Sequence, residues 1–100
     1  MLYLICYDIN RDALRAAFAR RIIAAGLDRI NKSVYLGVLT KTALPALEAE
    51  LQKLLQAKGE PQDSLIFLPI FPQQVQDMRI YGENGLDKDE LSGQKSTLLL

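Results

Sequence analysis

The 100-residue chain contains no histidine. That absence removes Ser-His-Asp and Cys-His nucleophilic catalysis, histidine acid/base cleavage of RNA, and every histidine-containing zinc site. Enzymatic chemistry here must use carboxylates, tyrosines, arginines or a metal ion. One cysteine, Cys6, excludes an intrachain disulfide and fits a reducing, cytoplasmic setting; a lone small thiol in an apolar run reads as core. A surplus of charge is also missing, with 12 lysines and arginines against 12 aspartates and glutamates. Nucleic-acid binding, if present, therefore comes from asymmetric placement of basic residues rather than bulk charge. No stretch approaches the roughly 20 apolar residues needed to span a bilayer. The amino-terminal run lacks a basic leader and carries a carboxylate, so neither a membrane span nor a secretory signal is expected.

Hydrophobic residues make up 49% of the chain, enough for one globular domain with a real core. The opening stretch, MLYLICYDIN, is apolar and rich in aromatic and β-branched residues, and it has the length of a buried strand. Asp8 stands at its far end. Strand ends are where rigid backbone meets open loop, a common place for functional side chains, although an Asp there also serves as a turn or cap residue.

Helical spacing follows in Leu14, Ala17, Phe18, Ile22 and Ala25, with Asn10 or Asp12 as cap and Gly26 past the end. Arg11, Arg15, Arg20 and Arg21 decorate the other faces. Leu27 to Ile30 and Val34 to Leu39 read as two short strands, or one bent strand, around the turn residues Asn31, Lys32 and Ser33. Gly37 implies a bulge or a close backbone approach. Thr40 or Thr42 caps a second helix with a stripe of Leu44, Leu47, Leu51, Leu54 and Leu55, ending at Gly59. Ser64 to Phe71 is a second continuous apolar strand, with Pro69 placing an edge, bulge or end nearby. A short strand is expected at Met78 to Tyr81, and Leu98 to Leu100 forms an added strand or a docking tail.

The order strand, helix, two strands, helix, strand matches the split βαβ plan: an α+β, ferredoxin-like βαββαβ sandwich with an additional carboxy-terminal strand. Residues 1–82 form the domain and residues 83–100 a tail. Two helices cover only one sheet face, yet the first and last strands of the sheet are apolar on both. The second face is therefore expected against a second copy, giving a homodimer.

The chain at this point resembles the small CRISPR-associated Cas-two family. The resemblance lies in Tyr7-Asp8-Ile9 closing the first strand, the arginine-bearing helix, Gly26-Leu27-Asp28-Arg29-Ile30 leading into Ser33-Val34-Tyr35, the strand Ile66 to Ile70, and Ile80-Tyr81-Gly82 before a polar tail. It implies a ferredoxin-like homodimer whose carboxy-terminal strand packs on the partner's sheet. It also implies metal-dependent cleavage of single-stranded RNA or double-stranded DNA, in company with a CRISPR integrase subunit during spacer acquisition. By that resemblance Asp8 is the ligand of Mg²⁺ or Mn²⁺ and, with its copy in the partner, the centre of catalysis. Tyr7, Arg15 and Arg29 join it as catalytic residues, and Arg15, Arg29, Ser33 and Tyr35 contact nucleic acid. Tyr35 stands where the family often has Phe, and Ala17 where some active relatives carry Arg.

The chemistry is compatible with that assignment, since Mg²⁺ takes oxygen ligands and commonly one or two carboxylates plus phosphate oxygens. Guanidinium forks suit phosphate, while Tyr7 and Tyr35 either pack in the core or line the site. Two other functions fit the same residues: a non-catalytic dimeric scaffold that bridges integrase subunits and holds DNA, and a toxin-like ribonuclease.

Overall fold

The computed structural model describes residues 1–82 and 85–92. Strand β1 (Leu2–Asp8) leads to helix α1 (Asp12–Ala24), the hairpin β2 (Asp28–Asn31) and β3 (Val34–Val38), helix α2 (Ala43–Lys58), strand β4 (Ser64–Ile70), and two short helices, α3 (Pro72–Gln76) and α4 (Lys88–Leu91). The sheet order is β2-β3-β1-β4, with every neighbouring pair antiparallel. This is the ferredoxin-like arrangement expected from the order of elements.

Strand alternation divides the sheet into two faces. Tyr3, Ile5, Tyr7, Tyr35, Leu65 and Phe67 turn toward α1 and α2 and join Leu14, Phe18, Ile22, Leu47 and Leu51 in the main core. Arg21 of α1 pairs with Glu50 of α2 across the outer surface of the helix layer. The cap of α1 differs from expectation, while that of α2 falls to one of the two expected threonines. Arg11 occupies the position before α1, and no side chain caps that end, because Asn10 is engaged elsewhere. At α2, Thr40 rather than Thr42 supplies the acceptor, its Oγ1 receiving the Ala43 amide at 3.0 Å.

Lys32 and Ser33 form the hairpin turn, and Ser33 adopts φ 60°, a conformation that few non-glycine residues take. Its bulge lies at Ile30, between the pairs Arg29–Tyr35 and Asn31–Val34, and not at Gly37. Gly37 marks a close approach instead: a Cβ there would lie 2.9 Å from the Leu27 Cα. Pro69 sits in β4, which is an edge strand and so tolerates a residue without an N–H.

The second face holds Leu2, Leu4, Cys6 and Asp8 of β1, by the same alternation. Part of it is covered by the chain itself. Val75 of α3 and Leu91 of α4 are buried against Leu2, Leu36 and Ile70, with Leu4, Ile30, Met78 and Leu86 around them. Neither short helix follows from the sequence pattern. The expected strand at Met78 to Tyr81 is absent: in this chain the segment has no ladder partner and runs as irregular backbone. The tail residues 86–92 pack on their own sheet, while Leu98 to Leu100 fall outside the described residues. Along β4 the second face stays open, with Ile66 53% and Leu68 49% exposed. No helix among the described residues is long and apolar enough to cross a membrane.

Candidate functional site

The end of β1 carries the sequence-predicted site residues, and the sheet sorts them onto two faces. Tyr7 points into the helix layer. Its ring meets Phe18 edge-on at 5.4 Å and stacks near Tyr35 at 6.0 Å, and its hydroxyl lies 3.3 Å from the Tyr35 hydroxyl. Both tyrosines are buried, so packing is their first role. Burial, helped by the bond to Tyr35, pushes the Tyr7 phenol up from its ordinary 10.0 to about 12, while the Ser33 hydroxyl and the Arg29 guanidinium pull the other way. A phenol held there stays protonated at neutral pH and can donate a proton in a hydrogen bond, but it does not act as a base.

Above these hydroxyls opens a shallow pocket of about 270 Å³ whose lining includes Tyr7, Arg15, Arg29, Lys32, Ser33 and Tyr35. Three cations, three hydroxyls and the single carboxylate of Asp12 give it the character of an anion site. Arg15 is partly committed already. Its Nη1 donates to the backbone carbonyls of Ile9 and Asn10 at 3.0 and 3.2 Å, and its Nη2 pairs with Asp12. It therefore braces the loop after β1 as well as facing the pocket. Arg29 is freer: among the described residues its side chain makes one long hydrogen bond, from Nε to the Asn31 carbonyl at 3.4 Å. Ser33 ties the pocket to β1 through its own carbonyl, which accepts the Tyr7 amide at 3.2 Å.

Asp8 points the other way. It occupies the last rung of the β1–β4 ladder, opposite Ser64, on the second face and exposed to solvent. Its position is fixed from the following loop. Asp63 Oδ1 accepts the Asn10 amide at 3.1 Å, and Asp63 Oδ2 accepts the Glu60 amide at 2.8 Å. The Asn10 side chain donates to both Glu60 oxygens, at 3.3 and 3.1 Å. This clamp fastens the turn after β1 to the turn before β4.

Tyr7, Arg15, Arg29, Ser33 and Tyr35 are thus brought together, and Asp8 is set apart from them across the sheet. Alternation along β1 carried that signal, since consecutive residues of a strand face opposite ways. The sequence reading made Asn10 a cap and Lys32 a turn residue and gave Glu60 and Asp63 no role at the site, because turn residues look alike until the loops they connect are placed. Among the described residues no group of three or more acidic, Cys or His side chains converges as a metal cage. One exposed carboxylate is still compatible with Mg²⁺ or Mn²⁺, which accept a sparse protein donor set completed by water and phosphate oxygens.

A sequence model of the family described as CRISPR associated protein Cas2 matches residues 1–78. The chain belongs to the Cas2 family. It is 34% identical over 67 residues to the CRISPR-associated endoribonuclease Cas2 2 of Pyrobaculum aerophilum, a match covering 67% of this chain and 71% of that protein. The crystal structure of Streptococcus pyogenes Cas2 at pH 6.5 resembles it with a TM-score of 0.69 and 20% identity, covering 82% of this chain and 100% of that one. At that identity the likeness is one of fold, and it agrees with the ferredoxin-like plan read from the sequence.

Proposed function

We propose that this Cas2-family chain is a metal-dependent endonuclease of the CRISPR adaptation machinery, hydrolysing phosphodiester bonds in RNA or DNA as a homodimer. The observation that carries this reading is the position of Asp8. It lies exposed on the same sheet face as the open apolar strip of Ile66 and Leu68. A second copy covering that strip about a twofold axis brings a second Asp8 into the same region. Two carboxylates from two chains give the donor number that one chain lacks.

In that assembly the two Asp8 side chains would hold Mg²⁺ or Mn²⁺. When bound, the ion supplies charge neutralisation at the phosphate and an activated water, which a chain without histidine otherwise lacks. The remaining work falls to this chain's own residues. The Asp63 clamp and the Arg15 brace fix the carboxylate in place. The helix-face pocket, through Arg29, Lys32, Ser33 and the Tyr7 hydroxyl, grips backbone phosphate on the far side of β1. Because the pocket and Asp8 lie on different faces, the pocketed phosphate is a neighbour of the one cleaved. That assigns Arg29 to binding and orientation. The test is cleavage of labelled single-stranded RNA and duplex DNA with Mg²⁺ or Mn²⁺. Asp8→Asn is expected to abolish cutting without changing the oligomeric state, and unchanged cutting would overturn the nuclease reading.

A second reading rests on the sparse donor set: a dimeric scaffold that bridges integrase subunits and holds DNA through the same cationic pocket, with Asp8 structural. Spacer acquisition by the Asp8→Asn variant at the wild-type level, together with co-purification of the integrase, would favour it. The sheet face, the pocket and the dimer are common to both readings, and to a toxin-like ribonuclease.

A further inference from the structure

Arg29 belongs to edge strand β2, and its side chain stands at the rim between the two faces of the sheet. On one side it lines the cationic pocket with Arg15 and Lys32. On the other it lines a second pocket, of about 240 Å³, with Asp28, Asp87, Glu90 and Leu91. The two pockets have opposite character: the first is dominated by cations, the second by three carboxylates around the single guanidinium of Arg29.

Two of those carboxylates arrive with α4, Asp87 as its cap and Glu90 within it. That helix is anchored by Leu91 in the second apolar cluster. It is also tied to α3 by Gln76 Nε2 donating to Asp89 Oδ1 at 2.8 Å, and by Lys88 Nζ donating to the Gln76 carbonyl at 3.1 Å. Asp87 is bound to its own helix, accepting the Asp89 and Glu90 amides, which leaves Glu90 as the exposed carboxylate of α4 in the Arg29 pocket. Among the described residues no ion pair within 4.0 Å joins Glu90 to Arg29; the two share the lining of one pocket without a fixed bridge.

We infer that α4 is an intramolecular competitor for nucleic acid at Arg29, its carboxylates occupying the field that a backbone phosphate would otherwise fill. The inference rests on the reading that the cationic pocket takes nucleic-acid backbone, and it adds a regulatory role for a segment otherwise explained by packing. With α4 docked, an incoming strand meets like charge on the second-face side of Arg29 and is directed to the Arg15 and Lys32 side. Any event that undocks α4 strengthens binding.

The test measures binding of a labelled single-stranded RNA and a duplex DNA to the full chain in EDTA, so that cleavage plays no part. Glu90→Gln is expected to bind about two- to fivefold tighter than wild type at low salt, the size of one exposed charge pair. The gain should fade as salt rises, and it should vanish when Glu90→Gln is made in an Arg29→Ala background. A gain that persists in Arg29→Ala would show only a change in net charge and would overturn the inference, as would no gain at all. Failure of the wild type to bind either probe would instead overturn the underlying reading of the cationic pocket, and the inference with it.

Discussion

Tyr7 and Asp8 are adjacent in β1, yet their side chains leave opposite faces of the sheet, Tyr7 into the core beneath α1 and Asp8 into solvent beside β4. A single strand end therefore serves two surfaces. One is a hydroxyl-floored cationic pocket complete within the chain. The other carries the exposed Asp8 carboxylate on the face where Ile66 and Leu68 stay open, the face that the proposed dimer would cover.

The Tyr7 phenol offers a direct check on the first surface. Its folded pKa of about 12 lies above the ordinary 10.0, so the folded state holds the proton more tightly than the unfolded one. The associated stability is fully present below pH 10 and is lost as pH rises toward 12. Tyr35→Phe removes the hydroxyl partner but leaves the burial, the larger cause, in place. Alkaline titration followed by phenolate absorbance should show the Tyr7 transition moving down while staying above 10.0. No movement would mean that the two hydroxyls are not coupled.

Ile66→Glu probes the second surface. Ile66 is half exposed in the single chain, so a carboxylate there costs the fold little, but it places two like charges near the axis of a dimer packed through β4. Light scattering should report twice 11.2 kDa for wild type and 11.2 kDa for the variant, with matching far-UV circular dichroism. A dimeric Ile66→Glu would move the interface elsewhere.

Asp63→Ala tests the clamp that holds the end of β1. Two backbone amides, of Asn10 and Glu60, lose their acceptor. The expected loss of stability is about 1 kcal/mol, in the range of a typical intramolecular hydrogen bond, with a larger fall in cleavage than in dimer content. Asp63→Asn keeps one acceptor oxygen and should recover part of both. Equal losses for the two variants in urea denaturation and cleavage would deny the clamp any role in placing Asp8.

Much of the fold follows from residue pattern. The continuous apolar runs of β1 and β4 are legible as strands, and the stripes through Phe18 and Leu51 as helices, because burial on one or both faces dictates spacing. The caps and short helices are less legible. Asn10 has the chemistry of a cap, but its side-chain amide goes to Glu60, 50 residues away, and its backbone amide to Asp63, 53 residues away. Pro72 and Val75 give α3 a start and an anchor, yet five residues carry too little periodicity to separate helix from loop. Met78 to Tyr81 has the residues of a strand, but no edge of its own sheet receives it. At the site, the end of the first strand pointed to Asp8 and the family resemblance to Tyr7, Arg15 and Arg29, and alternation along β1 could have split Tyr7 from Asp8. That Lys32 joins the pocket depends on the Ser33 turn, whose positive φ nothing in the residue type demands.

In the proposed assembly Asp8 is half of a site shared by two chains. The most direct test of that sharing mixes wild-type and Asp8→Asn chains, allows subunit exchange, and follows cleavage against the wild-type fraction. A site that needs both carboxylates predicts activity proportional to the square of that fraction, so an equal mixture retains about one quarter of the wild-type rate. A rate linear in the wild-type fraction would make each Asp8 sufficient alone and contradict the shared site.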